Sequence, residues 1–185
     1  MSYIGSKPTN VPLTSADIQD GTINTADIAD GAVTLAKTTD VGGANTPAFF
    51  AYKTSSTQSL NSGTITKVTF NTELYDTDSN YASDRFTPQT AGKYHFNTSV
   101  ATSGNQYRYV NVYIRKNGSV NFGAYSAEAN GDYFGSAGVT ASVVYDMNGS
   151  SDYVEIYVQS QVNSGIIRYD NNGFTTYFHG FKLLT

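Results

Sequence analysis

The sequence predicts an all-β protein, a sandwich or jelly roll, that follows a short N-terminal segment of different character. From about residue 48 onward, apolar and polar residues alternate with a period of two over several segments of strand length. Asn-Gly pairs at 117–118, 148–149 and 172–173 are turn signals between these segments. The chain has 15 Tyr, 10 Phe and only 14% charged residues, a composition that suits pleated sheets. About eight to ten short strands are expected.

The segment from Phe86 to Phe96 organises the predicted sheet. It contains an apolar anchor at Phe86, followed by Pro88 and Gly92, which indicate a bend. After the bend, Tyr94 and Phe96 alternate with polar residues, as in a half-buried strand. This segment is therefore expected to lead the chain from a turn into a long strand.

A second strong strand is predicted from Tyr107 to Lys116, and Asn117-Gly118 directly after it predicts a hairpin. The remaining predicted strands are 48–53, 65–70, 119–125, 139–145, 153–159 and 174–184. The polar stretches 55–63, 77–84 and 127–135 are predicted to be loops.

Both faces of the last predicted strand are apolar. They consist of Phe174, Phe178 and Leu184 and of Tyr177, Phe181 and Leu183. An antiparallel sheet normally keeps one face polar, so the second face is expected to be buried against another subunit. His179 shares that face and is interpreted as an interface or core histidine, whereas His95 is interpreted as a solvated strand histidine.

The N-terminal segment contains a repeat of ten residues, Ser15–Asn24 and Thr25–Thr34. Each copy begins with Ser or Thr, continues through Ala-Asp-Ile and ends its motif at Asp-Gly, which predicts one capped helical turn ended by glycine. A single turn is not stable alone, so association of several chains is predicted through the apolar residues Ile18, Ile23, Ile28 and Val33. A solvated linker is the alternative, and the aspartate spacing does not match a calcium-binding EF-hand loop.

Tyr3-Ile4-Gly5 and the Asp-Ile-x-Asp-Gly repeats resemble the N-terminal stems of bacteriophage fibre and virion structural proteins. The resemblance implies a stem that attaches to other virion proteins and holds the chains as a trimer. Residues 40–47 are predicted to be a flexible linker. We therefore divide the chain into a stem with its linker, residues 1–45, and a head, residues 46–185.

The head resembles a C1q-like domain of the C1q/TNF superfamily. The motifs that carry the resemblance are Ala48-Phe49-x-Ala51, Phe86-x-Pro88-x-x-x-Gly92-x-Tyr94-x-Phe96, Asn117-Gly118 and Tyr177-Phe178-x-Gly180-Phe181-x-Leu183-Leu184. The resemblance implies a ten-stranded jelly roll that forms a homotrimer, with the first and last strands near the threefold axis. The implied trimer interface consists of Phe49, Tyr177, His179, Phe181 and Leu183. Calcium sites known in some members have no matching residues here.

Several function classes are disfavoured by composition. The net charge of −4 and the lack of clustered Lys and Arg argue against a nucleic-acid partner. The absence of cysteine excludes disulfides and thiol chemistry. Neither a signal peptide nor a membrane-spanning stretch is expected. No nucleophile elbow or carboxylate pair suited to glycoside hydrolysis stands out, so we expect neither an enzyme nor a cofactor or metal.

Tyrosines on the predicted outward faces are candidate recognition residues, because aromatic faces bind sugars and proteins. They are Tyr109, Tyr113, Tyr133, Tyr153 and Tyr157. Cross-strand packing or a trimer contact is the alternative interpretation. Taken with both resemblances, these residues lead us to expect a homotrimeric phage virion protein, assembled in the host cytoplasm and exposed on the particle. Its head would adhere to a host surface glycan or protein; the alternatives are a capsid decoration fibre and a secreted C1q-like ligand-binding protein.

Overall fold

The computed structural model describes Thr14, Ala16 and residues 18–33, 45–125, 136–169 and 175–184. The chain divides into two compact units, Met1–Gly42 and Gly43–Thr185.

The described part of the N-terminal unit includes a short helical element, the 3₁₀ turn Thr25–Asp27 in the second copy of the repeat. Asn24 precedes the turn, and its backbone N–H donates to the Asp27 carboxylate at 2.9 Å. The threonine predicted to cap the turn is therefore its first residue. Gly21 and Gly31 have φ of 80° and 75°, and each belongs to a separate tight turn rather than ending a helix. Ser15, Asp17 and Thr34 of the two copies lie outside the described residues.

The second unit contains eleven strands among its described residues. They are β1 Ala48–Tyr52, β2 Gln58–Leu60, β3 Ile65–Lys67, β4 Thr72–Asp76, β5 Tyr81–Ala82, β6 Arg85–Phe86, β7 Gly92–Lys116, β8 Ser119–Tyr125, β9 Ser136–Met147, β10 Val154–Ile167 and β11 Tyr177–Lys182. All the pairings are antiparallel.

The long strand β7 takes part in both layers of the fold. Its first half lies between β9 and β11, and β11 continues through β1 to β4. Its second half lies between β8 and β10, and β10 also pairs with β2, β3 and β6. We call these the first and second layers.

The two strands predicted near 94–100 and 107–116 are thus one continuous strand of 25 residues. The largely polar residues between 100 and 107 do not end the strand. Instead, the pairing of β7 with β10 shifts register on both sides of Asn163, and Ser164 has a φ of 54°. Such irregularities bend a sheet without ending the strand, which lets β7 pass from one layer to the other.

The core lies between the layers and is rich in stacked rings. Phe49 stacks on Phe86 with ring centroids 4.2 Å apart and meets Phe178 edge to face at 4.7 Å. Tyr94 and Phe96 are also fully buried, and the Tyr94 hydroxyl donates to the Thr90 carbonyl at 2.8 Å. The prediction that the 86–96 segment feeds a half-buried strand is confirmed.

The hairpin prediction is confirmed as well, because Asn117 and Gly118 alone join β7 to β8 with φ of 54° and 74°. Two predicted loops are wrong in part: 55–63 contains β2, and 77–84 contains β5. The predicted loop 127–135 and the start of the last predicted strand lie outside the described residues.

Candidate functional site: two outward faces of the sandwich

The first layer presents a continuous aromatic surface on its outward side. Three rows of cross-strand partners build it, since Phe50 lies opposite His179, Tyr52 opposite Tyr177 and Ala48 opposite Phe181. We call Phe50, Tyr52, Tyr177, His179 and Phe181 the aromatic face. Each of these side chains is only half-buried in the chain, although the alternate residues of the same strands are fully buried.

Ring contacts hold the aromatic face together. His179 stacks on Phe50 with centroids 5.4 Å apart and an interplanar angle of 7°, and the ring centroid of Tyr177 lies 5.8 Å from that of His179. Phe181 packs against His95 of the neighbouring strand β7 at 5.4 Å. Tyr75 and Val144 extend the surface at its two margins, where they are 44% and 49% exposed.

The structure corrects one of the predicted interface residues. Phe49 is 0% exposed in the chain and belongs to the core, so its side chain has no surface to offer a partner. The adjacent Phe50 points outward in its place, because successive residues of a strand face opposite sides. Tyr177, His179 and Phe181 lie on the outward side as predicted, and Leu183 follows the end of β11 in a half-buried position.

His179 adds little charge to the aromatic face at neutral pH. Burial, and then the neighbouring His95, lower the pKa of His179, which favours its neutral form. His95 lies 2.7 Å from the Ser142 hydroxyl through Nε2. It is half-buried rather than fully solvated, which corrects the expectation for this residue. A neutral His179 among aromatic rings makes this side of the head suited to burial against another apolar surface.

The second layer presents a different outward surface, which combines tyrosines with charged groups. We call Tyr113, Arg115, Tyr153, Glu155 and Tyr157 the arginine–tyrosine face. Strand register sets it, since Tyr113 lies opposite Tyr157 and Arg115 opposite Glu155. Three of the five predicted recognition tyrosines are therefore brought together. Tyr109 lies further along β7, opposite Gln161, and Tyr133 lies outside the described residues.

Glu155 is the buried carboxylate that binds the surrounding side chains of this face together. The sequence analysis did not identify it as a site residue. Its side chain is only 3% exposed, because Lys67 and Arg85 cover it with contacts of 2.8 Å each. The Tyr157 hydroxyl donates to its other oxygen at 2.9 Å. Burial alone would raise the pKa of Glu155, but hydrogen bonds from Lys67, Arg85 and Tyr157 outweigh it and hold the pKa below its usual value.

Two guanidinium groups lie against tyrosine rings on this face. Arg85 lies 3.7 Å from the centroid of Tyr153, and Arg115 lies 4.3 Å from that of Tyr157. Alternation along 107–116 and 153–159 places Arg115 and Glu155 on the outward sides of their strands, so part of this grouping had a sequence signal. Their position opposite each other depends on the pairing of β7 with β10, which no local signal sets.

The apolar residues of the stem are exposed within the N-terminal unit. Ile18, Ile23, Ile28 and Val33 are 44%, 56%, 42% and 52% exposed. Four aliphatic side chains at five-residue intervals thus remain uncovered in the isolated unit.

Catalytic geometry does not stand out in the described part of the chain. A cleft of about 560 Å³ beside β2 is lined by Ser59–Ser62 and Ser164–Ile166, which carry no acid or base. Among the described residues, no group of three His, Asp or Glu side chains lies close enough to hold a metal ion. Likewise, no helix in that part is both long and apolar enough to cross a membrane.

Comparison with known proteins gives a fold and no family. No protein-family model matches the sequence, and no curated protein matches it significantly. Solved structures do match: murine APRIL at pH 5.0 and at pH 8.0 with a TM-score of 0.54, and at pH 8.5 with 0.53. Each has 10% identity and covers 74% of this chain and 98% of the APRIL chain. The likeness shows the fold alone, a jelly roll of the TNF and C1q type, and confirms the predicted all-β jelly roll.

Proposed function

We propose that this protein is a structural component of a phage virion, a homotrimeric fibre or spike whose head projects for adhesion to the host surface. The aromatic face is the observation that supports assembly into a trimer. Proteins that stay monomeric rarely expose a large continuous apolar patch, so this face is expected to be covered. A second and a third copy of the chain are the proposed cover.

The position of the aromatic face supports this assembly. Its residues belong to β1 and β11, the first and last strands of the head. These are the strands that the C1q-like resemblance places near a threefold axis. The half-buried imidazole of His179 is compatible with burial there, because burial lowers its pKa and favours the neutral form.

The exposed apolar residues of the stem support the proposal that the stem attaches the protein to the virion. Its exposed side chains at Ile18, Ile23, Ile28 and Val33 need apolar partners, which neighbouring chains or other virion proteins would supply. The resemblance of the Asp-Ile-x-Asp-Gly repeats to phage fibre stems points to the same role. We propose a binding and structural role without catalysis or cofactor.

Solution mass by light scattering tests the assembly. The full chain is expected to have the mass of three copies, and Phe181→Glu is expected to give monomers because it places carboxylates in the apolar contact. Ile65→Glu is the matched control, since Ile65 is 41% exposed but belongs to β3 in the second layer. A monomeric wild-type chain, or a Phe181→Glu variant that remains trimeric, would contradict the proposal.

Labelling of intact particles tests the location. Antibodies against the head should mark fibre or spike tips in electron micrographs of particles from cultures that produce this chain. Label spread over the capsid would favour the decoration fibre. Label found only in the particle-free medium would favour the secreted ligand-binding protein.

A further inference from the structure

Arg115 differs from the neighbouring cations in having no carboxylate partner among the residues that the structure describes. Lys67 and Arg85 share Glu155, and Lys116 pairs with Asp152 at 2.8 Å. Arg115 forms no ion pair with any described residue, and its buried Nε–H has no acceptor there. The hydrogen-bonding capacity of this guanidinium is thus unused in a protein whose net charge is −4.

The surroundings hold the Arg115 side chain in a defined orientation. Its guanidinium carbon lies 4.3 Å from the ring centroid of Tyr157 and 5.7 Å from that of Tyr113. The Tyr113 hydroxyl is itself fixed by a 3.1 Å hydrogen bond to Gln159. A planar guanidinium held between fixed rings loses little conformational freedom when it pairs with a carboxylate through two parallel hydrogen bonds.

The local charge balance favours an anionic partner. Lys67, Arg85 and Arg115 outnumber the single carboxylate of Glu155, so this face is positive although the chain as a whole is acidic. Arg115 lies directly opposite Glu155, whose carboxylate is paired with Lys67 and Arg85. Further along the two strands lie the hydroxyls of Tyr113 and Tyr157, and beyond them the amides of Gln159 and Asn111. The buried Oδ1 of Asn111 has no partner among the described residues.

This combination fits a ligand with sparse negative charge and many hydroxyl groups. Nucleic acids and other dense polyanions need several clustered cations and would be repelled by the net charge of −4. A polymer of uronic acids has one carboxylate per acidic sugar, which matches one free guanidinium, and hydroxyls that suit the surrounding polar groups. We propose that the arginine–tyrosine face binds a uronic-acid polysaccharide, with Arg115 as the residue that pairs with its carboxylate.

The proposal deepens the proposed function and rests on the head being the outward-facing part of the assembly. The two outward faces belong to opposite layers of the sandwich, so covering the aromatic face would leave the arginine–tyrosine face free. Three copies of a weak site on one trimer would bind a repeating polymer far more tightly than one copy.

Binding of the full chain to immobilised polygalacturonate tests the proposal. Arg115→Gln should weaken binding by about tenfold or more, because it removes a charge-assisted pair. Arg108→Gln is the matched control: it changes the net charge equally, at an exposed arginine of the same strand. Arg115→Lys, which keeps the charge without the planar fork, should fall between them.

Each result of the binding experiment either supports or overturns the assignment of Arg115. Loss of binding in Arg115→Gln with retention in Arg108→Gln supports the site, provided the two variants unfold at the same temperature as the wild type. Equal loss in both variants, binding to dextran sulfate but not polygalacturonate, or no binding at all would overturn the assignment. Light scattering on the same samples separates the two proposals: a trimer that does not bind refutes only this inference, and a monomer that binds refutes only the trimer.

Discussion

Glu155→Gln should be the most damaging single substitution on the outward surface of the second layer. The wild-type carboxylate is 3% exposed and accepts hydrogen bonds from Lys67, Arg85 and Tyr157. Glutamine keeps one oxygen acceptor but replaces the other oxygen with an NH₂ group, which then faces either Lys67 and Arg85 or the Tyr157 hydroxyl, all of them donors. The substitution therefore removes the only carboxylate that neutralises Lys67 and Arg85 among the described ion pairs.

The structure sets the size of the effect. Breaking a fully buried ion pair costs about 3–5 kcal/mol. Here the two cationic side chains are 31% and 42% exposed, so water can solvate them again and the loss is smaller. We expect the free energy of unfolding to fall by about 2–3 kcal/mol, which lowers Tm by roughly 4–12 °C for a chain of this size.

Thermal unfolding at one fixed chain concentration measures this, since assembly would make Tm depend on concentration. Asp146→Asn is the matched control: its pair with Lys93 is 75% and 52% exposed and should contribute about 1 kcal/mol or less. If both variants lose the same stability, the ion cluster is not what makes Glu155 important.

The same variant has a predicted pH dependence. Hydrogen bonds lower the pKa of Glu155 below its ordinary value of 4.5, so the folded state binds the proton less readily than the unfolded state. Its stabilising effect is therefore complete above the unfolded pKa and is lost as the pH falls through the folded pKa. The stability difference between wild type and Glu155→Gln should shrink steadily as the pH falls below about 4.5.

Two further substitutions probe the first layer. A Cβ at Gly180 would lie 2.5 Å from the Phe96 ring, so Gly180→Ala should lower the free energy of unfolding by about 1–3 kcal/mol, whereas Gly138→Ala, with open space, should change it little. Denaturant unfolding compares the two, and similar losses would refute the packing argument. Because burial and His95 lower the pKa of His179, stability should fall as the pH drops below about 6.5, and His179→Asn should reduce this loss in unfolding curves recorded between pH 8 and pH 5.

Local signals in the sequence were enough to predict much of the head. The alternation at Tyr94 and Phe96 fixes which side of β7 is buried, and Asn117-Gly118 fixes the register of the hairpin that follows. The apolar pattern of the last strand correctly separated buried Phe178 from outward Tyr177 and Phe181. These features depend on neighbours along the chain or on one pair of strands.

Features that depend on distant strands were missed. Phe49 and Phe50 are adjacent aromatic residues, and only the pairing of β1 with β11 decides which of them faces the core. The alternation along 153–159 alone would place Glu155 on a solvent-facing side of its strand. It is buried by Lys67 and Arg85, which are 88 and 70 residues away in sequence. No pattern within one segment of the sequence indicates that residues so distant will bury the Glu155 carboxylate.

Strand β7 links the two candidate surfaces through a single alternation. Even-numbered residues such as Phe96 and Val112 are buried along both halves of the strand, so the odd-numbered His95 and Arg115 both point outward, each from a different layer. The strand bends between the layers while keeping this parity. A slip of one residue in the middle of β7 would turn Arg115 into the core while leaving His95 in place. The polar middle of β7 therefore does more than connect two strands: its length determines whether the arginine–tyrosine face exists on the opposite side from the aromatic face.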